Sequence, residues 1–138
     1  MSKIFFDTNI LVYLFDQRVK AKYLQAQACV SSIADSSSSR AVISTQVLQE
    51  FYVVLTSKLD FTPQTTKHIL ENFADFEIAT ISTDWIFQAI DLSASCRLSF
   101  WDALIVTAAK NSNCDEIWTE DLNHGQVIAG VKIVNPFR

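Results

Sequence analysis

Four acidic residues lie in mostly apolar segments that are far apart in the chain: Asp7, Glu50, Asp102 and Asp121. A carboxylate in apolar surroundings is costly unless its charge is compensated. If the fold brings the four together, two carboxylates about 4 Å apart repel by about 4 kcal/mol at an effective dielectric of about 20. Such a set shares protons or binds cations. Oxygen-only ligands suit Mg²⁺ or Mn²⁺, and one or two such ions can activate water and stabilise a phosphoryl group. The predicted chemistry is hydrolysis of a phosphodiester.

Three of these acids also have ordinary structural explanations. Asp7 follows a short apolar segment and could cap the next helix. Asp102 lies three residues after Ser99, as in a capping box with Asp in place of Glu. Asp121 could form an Asx turn in the loop that follows it. For each of these three residues taken alone, a structural role and a role in cation binding both stay open.

Glu50 has a weaker structural explanation. On a helix its neighbours one turn away are Val47 and Val54, so it borders the apolar stripe. Glutamate is seldom buried without a partner, and the next lysine, Lys58, lies two turns on. The position therefore favours a functional role.

Polar residues beside the acids could hydrogen-bond a ligating carboxylate, a metal-bound water or the substrate. These candidates are Thr8, Asn9, Arg97, Thr119, Glu120 and His124. Turn and cap chemistry explains Thr8, Asn9 and Thr119 equally well, and a surface role suits His124. Phe100 and Trp101 could stack on a nucleobase, although an aromatic-rich chain favours packing.

Other chemistries find less support. The two glycines, Gly125 and Gly130, form no phosphate-binding loop. The three cysteines are widely spaced, which favours reduced thiols in a cytosol over disulfides or structural zinc. No strained nucleophile turn is visible. An aspartate-nucleophile phosphatase would want a second Asp two residues after Asp7, where this chain has Asn9.

The elements that must position the acids alternate between strand and helix. The predicted strands are Lys3–Phe6, Ala41–Ser44, Phe76–Thr80, Glu116–Thr119 and Val131–Val134. The predicted helices are Thr8–Phe15, Arg18–Asp35, Thr45–Lys58, Pro63–Ala74, Asp84–Cys96 and Phe100–Asn111. Alternation predicts a parallel sheet covered by helices, with ligands beyond the carboxyl ends of its strands. All four acids fall at that edge.

Length and charge limit the remaining possibilities. The 138 residues, 49% hydrophobic, fit one domain covering residues 1–138. Asp7 interrupts the N-terminal apolar run too early for a signal peptide, and no run is long enough for a membrane span. The net charge is −4, and without the four acids it is −4 + 4 = 0. Charge therefore neither favours nor excludes a nucleic acid partner.

Four phrases of the sequence resemble the PIN-domain ribonucleases, and in particular the VapC-type toxins of toxin–antitoxin pairs. They are Phe6-Asp7-Thr8-Asn9-Ile10-Leu11, Gln49-Glu50-Phe51, Ser99-Phe100-Trp101-Asp102-Ala103-Leu104-Ile105 and Thr119-Glu120-Asp121-Leu122-Asn123-His124-Gly125. They span nearly the whole chain, with the acids in the order of the family.

The resemblance implies a three-layer α/β/α domain with a five-stranded parallel sheet. It implies Mg²⁺- or Mn²⁺-dependent endonucleolytic cleavage of RNA, with Asp7, Glu50, Asp102 and Asp121 holding the metal; Glu120 competes with Asp121 for the fourth position. It also implies a homodimer inhibited by a cognate antitoxin, and the cysteine pattern predicts a cytoplasmic location. The alternatives are a non-toxin PIN nuclease of RNA processing and a non-catalytic module that binds RNA or a protein partner.

Overall fold

A computed structural model describes residues 2–138, in which six α-helices flank a six-stranded sheet. The strands are β1 (Ser2–Phe6), β2 (Ser39–Ser44), β3 (Glu77–Ala79), β4 (Glu116–Trp118), β5 (Val127–Ile128) and β6 (Val131–Val134). The helices are α1 (Thr8–Tyr13), α2 (Lys20–Ala34), α3 (Thr45–Ser57), α4 (Pro63–Glu71), α5 (Thr83–Cys96) and α6 (Phe100–Asn111). The predicted α/β architecture is confirmed. None of the helices within residues 2–138 combines the length and apolar character that crossing a membrane requires.

The strand order β3-β2-β1-β4-β6-β5 places β1 at the centre of the sheet. Strand β1 pairs in parallel with both β2 and β4, so the chain fills one side of the sheet first and then moves to the other. The carboxyl ends of β1 and β4 therefore flank the point where the order reverses. Parallel α/β sheets bind ligands at such a point.

The sheet has one strand more than predicted, and this strand is antiparallel. Strand β5 pairs with β6 through a two-residue connection, Ala129-Gly130. Both residues have positive φ, 52° and 83°, as a type I′ hairpin turn requires. Alanine rarely adopts this backbone conformation, which is why the segment lacks the usual sequence signature of a hairpin. The prediction of five strands, all parallel, was wrong by this one edge strand.

Helix boundaries differ from the predicted ones where local hydrogen bonds end a helix. Asp16 accepts from the backbone N–H of Arg18 at 3.1 Å, and this turn separates α1 from α2 and delays the start of α2 to Lys20. Helix α4 ends at Glu71 and continues as a 3₁₀ turn, Asn72–Asp75. The predicted cap Thr62 is confirmed: its hydroxyl accepts from the N–H of Thr65 at 3.1 Å.

The core holds the elements of the sheet edge in place. Phe5 and Phe6 of β1 are fully buried, and α6 is buried along Ala103–Ala109. Phe6 packs edge-to-face on Phe76 and Trp118, with ring centroids 6.0 and 5.5 Å apart. Such pairs add to the free energy of area burial. The three cysteines form no disulfide among residues 2–138.

Candidate active site

All four predicted acids line one cavity of about 380 Å³ at the carboxyl edge of the sheet. Each comes from a different part of the fold. Asp7 directly follows β1, and Glu50 lies on α3. Asp102 lies in the first turn of α6, and Asp121 lies three residues after β4. The structure thus places the four carboxylates around a common space, as the sequence analysis expected.

Asp7 is the most buried of the four, with 6% of its surface exposed. It caps α1, because one carboxylate oxygen accepts from the backbone N–H of Thr8 at 2.7 Å. The other oxygen accepts from the hydroxyl of Thr119 at 2.8 Å. The structural and functional explanations of this residue are therefore compatible.

The pKa of Asp7 is raised to about 7, chiefly because burial removes water from the carboxylate. The hydrogen bonds from Thr119 and Thr8 oppose this rise, whereas the charges of Asp121 and Glu50 add to it. A group that repels two neighbouring carboxylates gains from a cation placed among them.

A hydrogen-bond network joins the acids through uncharged side chains. Thr8 donates its hydroxyl proton to Glu50 at 2.8 Å. Asn9 donates from Nδ2 to Asp121 at 2.9 Å and to Thr119 at 3.3 Å. Thr119 also accepts from the backbone N–H of Asp121 at 3.1 Å. Three of the predicted supporting residues therefore contact the acids directly and fix their orientation.

Asp121 and Glu120 have separate environments although they are adjacent in sequence. Asp121 lines the cavity, and its pKa is raised by partial burial, with the charges of Glu120 and Asp102 adding to the rise. Glu120 forms an ion pair with Lys22 at 2.6 Å and accepts from the hydroxyl of Tyr13 at 2.7 Å. This geometry favours Asp121 as the fourth ligand.

Two further candidates are not among the residues that line the cavity. Arg97 ends α5 in the left-handed conformation, with φ of 54°, and its side chain is exposed. The Nδ1 atom of His124 accepts from the backbone N–H of Asn135 at 3.0 Å. Both residues lie near an acid in the sequence, but neither lines this cavity in the fold.

The cavity is also lined by residues that were not predicted from the sequence. Gln46, Val54 and Lys58 line the cavity together with Glu50. The signal was available, because each of these positions lies four residues from the next and so neighbours it on the surface of α3, with Lys58 as the residue that caps the helix. Asp16 and Arg18 also line it, and no sequence pattern marks them.

The donor set suits a hard divalent cation. The acids supply only oxygen, as Mg²⁺ and Mn²⁺ prefer. The Oδ1 atom of Asn9 is buried in the pocket wall without a hydrogen-bond partner among residues 2–138, and such atoms are uncommon unless an ion or water satisfies them. Within that same range, no three or more His, Cys, Asp or Glu side chains form a compact metal-binding group. The acids therefore surround the cavity without closing on one point.

A family model described as the PIN domain matches residues 4–128. Among curated proteins no match is found. Among solved structures, the chain resembles a toxin–antitoxin complex from Klebsiella pneumoniae, with 23% identity, a TM-score of 0.70 and coverage of 96% of this chain and 97% of that one.

Two further solved structures are similar to this chain in fold. VapBC-1 from nontypeable Haemophilus influenzae has 16% identity, a TM-score of 0.70 and coverage of 99% of both chains. VapC20 from Mycobacterium tuberculosis, a sarcin-ricin loop cleaving toxin, has 16% identity, a TM-score of 0.68 and coverage of 83% of this chain and 86% of that one. At these identities the likeness is one of fold. By the family match over residues 4–128, this chain belongs to the PIN domain family.

Proposed function

We propose that this protein is a Mg²⁺- or Mn²⁺-dependent endoribonuclease that acts as the toxin of a toxin–antitoxin pair. The observation that carries the proposal is the single cavity lined by Asp7, Glu50, Asp102 and Asp121. Membership of the PIN family and the fold of the sarcin-ricin loop cleaving toxin from Mycobacterium tuberculosis support it.

In this proposal the four carboxylates hold one or two cations, which when bound supply an activated water and charge stabilisation at the phosphoryl group. Thr8 and Thr119 keep Glu50 and Asp7 oriented through their hydroxyl groups. Asn9 holds Asp121 and leaves its own Oδ1 facing no protein donor within residues 2–138. The chain's residues thus provide position and negative charge, and no side chain is needed as a nucleophile.

Cleavage of a panel of structured RNAs tests the proposal. With Mg²⁺ or Mn²⁺, the wild-type protein should cut at least one RNA internally, and Asp7→Asn or Asp102→Asn should lose about 100-fold or more in kcat/KM, because each removes a ligand. Asp91→Asn, on the exposed surface of α5, is the matched control and should cut normally. Equal cleavage by Asp102→Asn and wild type would show that the site assignment is wrong.

We further propose a cytoplasmic homodimer that is inhibited by a cognate antitoxin. The structures of similar fold include toxin–antitoxin complexes from Klebsiella pneumoniae and Salmonella typhimurium. Exposed apolar side chains on α5, namely Ile86, Phe87 and Ile90, offer a surface for a protein partner.

Two experiments test these partners. The mass in solution, measured by light scattering with and without the product of the neighbouring reading frame, should show a dimer and then a larger complex. Induced expression should arrest growth, and Asp102→Asn should relieve the arrest. Normal growth with active enzyme would instead favour a non-toxin nuclease of RNA processing.

A non-catalytic module that binds RNA or a partner is the second candidate. It is favoured by one observation, the lack of a compact group of three metal-binding side chains among residues 2–138. The complete acidic set and the raised pKa values of Asp7 and Asp121 count against it. A module of this kind would show no stoichiometric Mn²⁺ binding in a calorimetric titration.

A further inference from the structure

The cavity follows one face of α3 beyond the acidic site. Gln46, Glu50, Val54 and Lys58 all line it and are separated by four residues each. At 1.5 Å per residue the first and last lie about 18 Å apart along the helix axis. The face changes from a buried amide at Gln46 to an exposed ammonium group at Lys58. The carboxylates therefore lie within a longer groove that has two chemically different ends.

Trp101 lies at the first end. It lines the cavity, yet 61% of its surface is exposed. Gln46 Nε2 donates to the Trp101 carbonyl at 3.1 Å and ties its backbone to α3. The indole packs edge-to-face on Phe100, with centroids 5.1 Å apart at 75°. A tryptophan so exposed is not a core residue, so the packing role favoured by the sequence does not explain it.

Lys58 lies at the other end of the groove. It forms no ion pair with any residue in the described range 2–138. Arg18, which also lines this end, is already paired with Asp16, whose two carboxylate oxygens accept from it at 2.8 and 3.0 Å. Asp60 and Lys58 both line a second, adjoining cavity, but they form no ion pair with each other. Lys58 is thus the basic side chain of this groove that lacks a carboxylate partner within residues 2–138.

The distance between the two ends decides what the lysine can contact. Lys58 lies about 12 Å along the helix axis from Glu50. This separation of the two backbone positions favours contact of Lys58 with a phosphate other than the one held at the carboxylates. A second cavity of about 470 Å³, which shares Arg18 and Lys58 with the first, continues the groove past this point.

We propose that the groove binds an unpaired nucleic-acid strand along α3, with a nucleobase stacked on Trp101 and a backbone phosphate other than the scissile one on Lys58. The inference rests on the proposed function, since it places the substrate in the same cavity. Stacking on an indole accepts any base. A base inside a duplex is already stacked and paired, so Trp101 selects single strands over duplexes rather than a particular sequence.

Anisotropy of a fluorescein-labelled 12-nucleotide oligoadenylate tests the groove. An Asp7→Asn background prevents cleavage of the probe in Mg²⁺. In that background, Trp101→Ala should weaken binding roughly 5- to 150-fold, the range that base–aromatic stacking supplies, and Trp101→Phe should weaken it less. Leu24→Ala on α2 is the control, because Leu24 is an apolar side chain that is 51% exposed and lies outside the cavity; it should bind the probe unchanged. With a probe that carries abasic sites, the protein that retains Trp101 and the Trp101→Ala variant should bind equally, which isolates the base as the contact.

The salt dependence of binding tests the contact between Lys58 and a phosphate separately. Lys58→Gln should reduce the slope of log Kd against log salt by about 0.7, the value for one phosphate of a single strand. Lys58→Arg should keep the slope, as should Lys110→Gln, which lies in the last turn of α6. Trp101→Ala should leave the slope unchanged. A purely structural role for Lys58 would not alter the salt dependence.

Several results would overturn the inference: unchanged binding in Trp101→Ala, an equal loss for the probe annealed to its complement, or an unchanged salt slope in Lys58→Gln. If Trp101→Ala changes the mass of the protein in solution without changing RNA binding, the indole belongs to a protein interface, and the inference is overturned. Binding as predicted by a protein that cuts no RNA would support the groove and refute the nuclease, so the two failures are distinguishable.

Discussion

Asp7 combines two roles that affect its carboxylate in opposite ways. As a helix cap it accepts hydrogen bonds that favour the ionised form. As a buried neighbour of two other acids it loses water and gains repulsion, and its pKa rises to about 7. In the unfolded chain its pKa is close to the ordinary value of 3.8. Without a cation, the ionised Asp7 therefore destabilises the folded protein.

The sign of this effect predicts a pH dependence for the metal-free protein. Because the folded pKa exceeds the unfolded one, stability should fall as the pH rises from about 4 to about 7, by up to about 4 kcal/mol. In chelator, Asp7→Asn should be more stable than wild type at pH 8 and equally stable near pH 4. Urea unfolding at both pH values measures this. A variant that is less stable than wild type at pH 8 would contradict the assigned environment of Asp7.

The sequence predicted which segments form helices and strands better than it predicted where those helices and strands end and which turns join them. The alternation of apolar runs located all five parallel strands and all six helices, because each element buries one face. The sequence predicted a break between α1 and α2 but made it too short, and it missed the hairpin at Ala129-Gly130, since each depends on a local hydrogen bond or a rare backbone conformation.

Two helix N-caps stabilise the fold, and one of them also holds a residue of the site. Ser99 accepts from the N–H of Asp102 at 3.1 Å, and Thr62 accepts from the N–H of Thr65 at the same distance. Ser99→Ala and Thr62→Ala should each lose about 1 kcal/mol of unfolding free energy. Only Ser99→Ala should also weaken Mn²⁺ binding, because it frees the turn that carries Asp102. Equal Mn²⁺ affinity in both variants would contradict a positioning role for Ser99.

At the scale of the whole molecule, the strand order decides which acids meet. Sequence placed all four at one edge of the sheet, but it could not place β1 between β2 and β4, since strand pairing over long separations depends on tertiary packing. This order brings the residues after β1 and β4 together, and the network through Thr119 is its result. The same limit explains Arg97 and His124, which lie near an acid in sequence and outside the cavity lining in the fold.

The central claim is that Asp7, Glu50, Asp102 and Asp121 form a site for a divalent cation. Calorimetric titration of the chelator-treated protein with Mn²⁺ tests it most directly. We predict stoichiometric binding of one or two ions by wild type and at least a 10-fold loss of affinity in Asp121→Asn. Glu120→Gln is the matched control beside it, and it should keep the affinity because Glu120 is paired with Lys22. No stoichiometric binding by wild type, or full affinity in Asp121→Asn, would contradict the account.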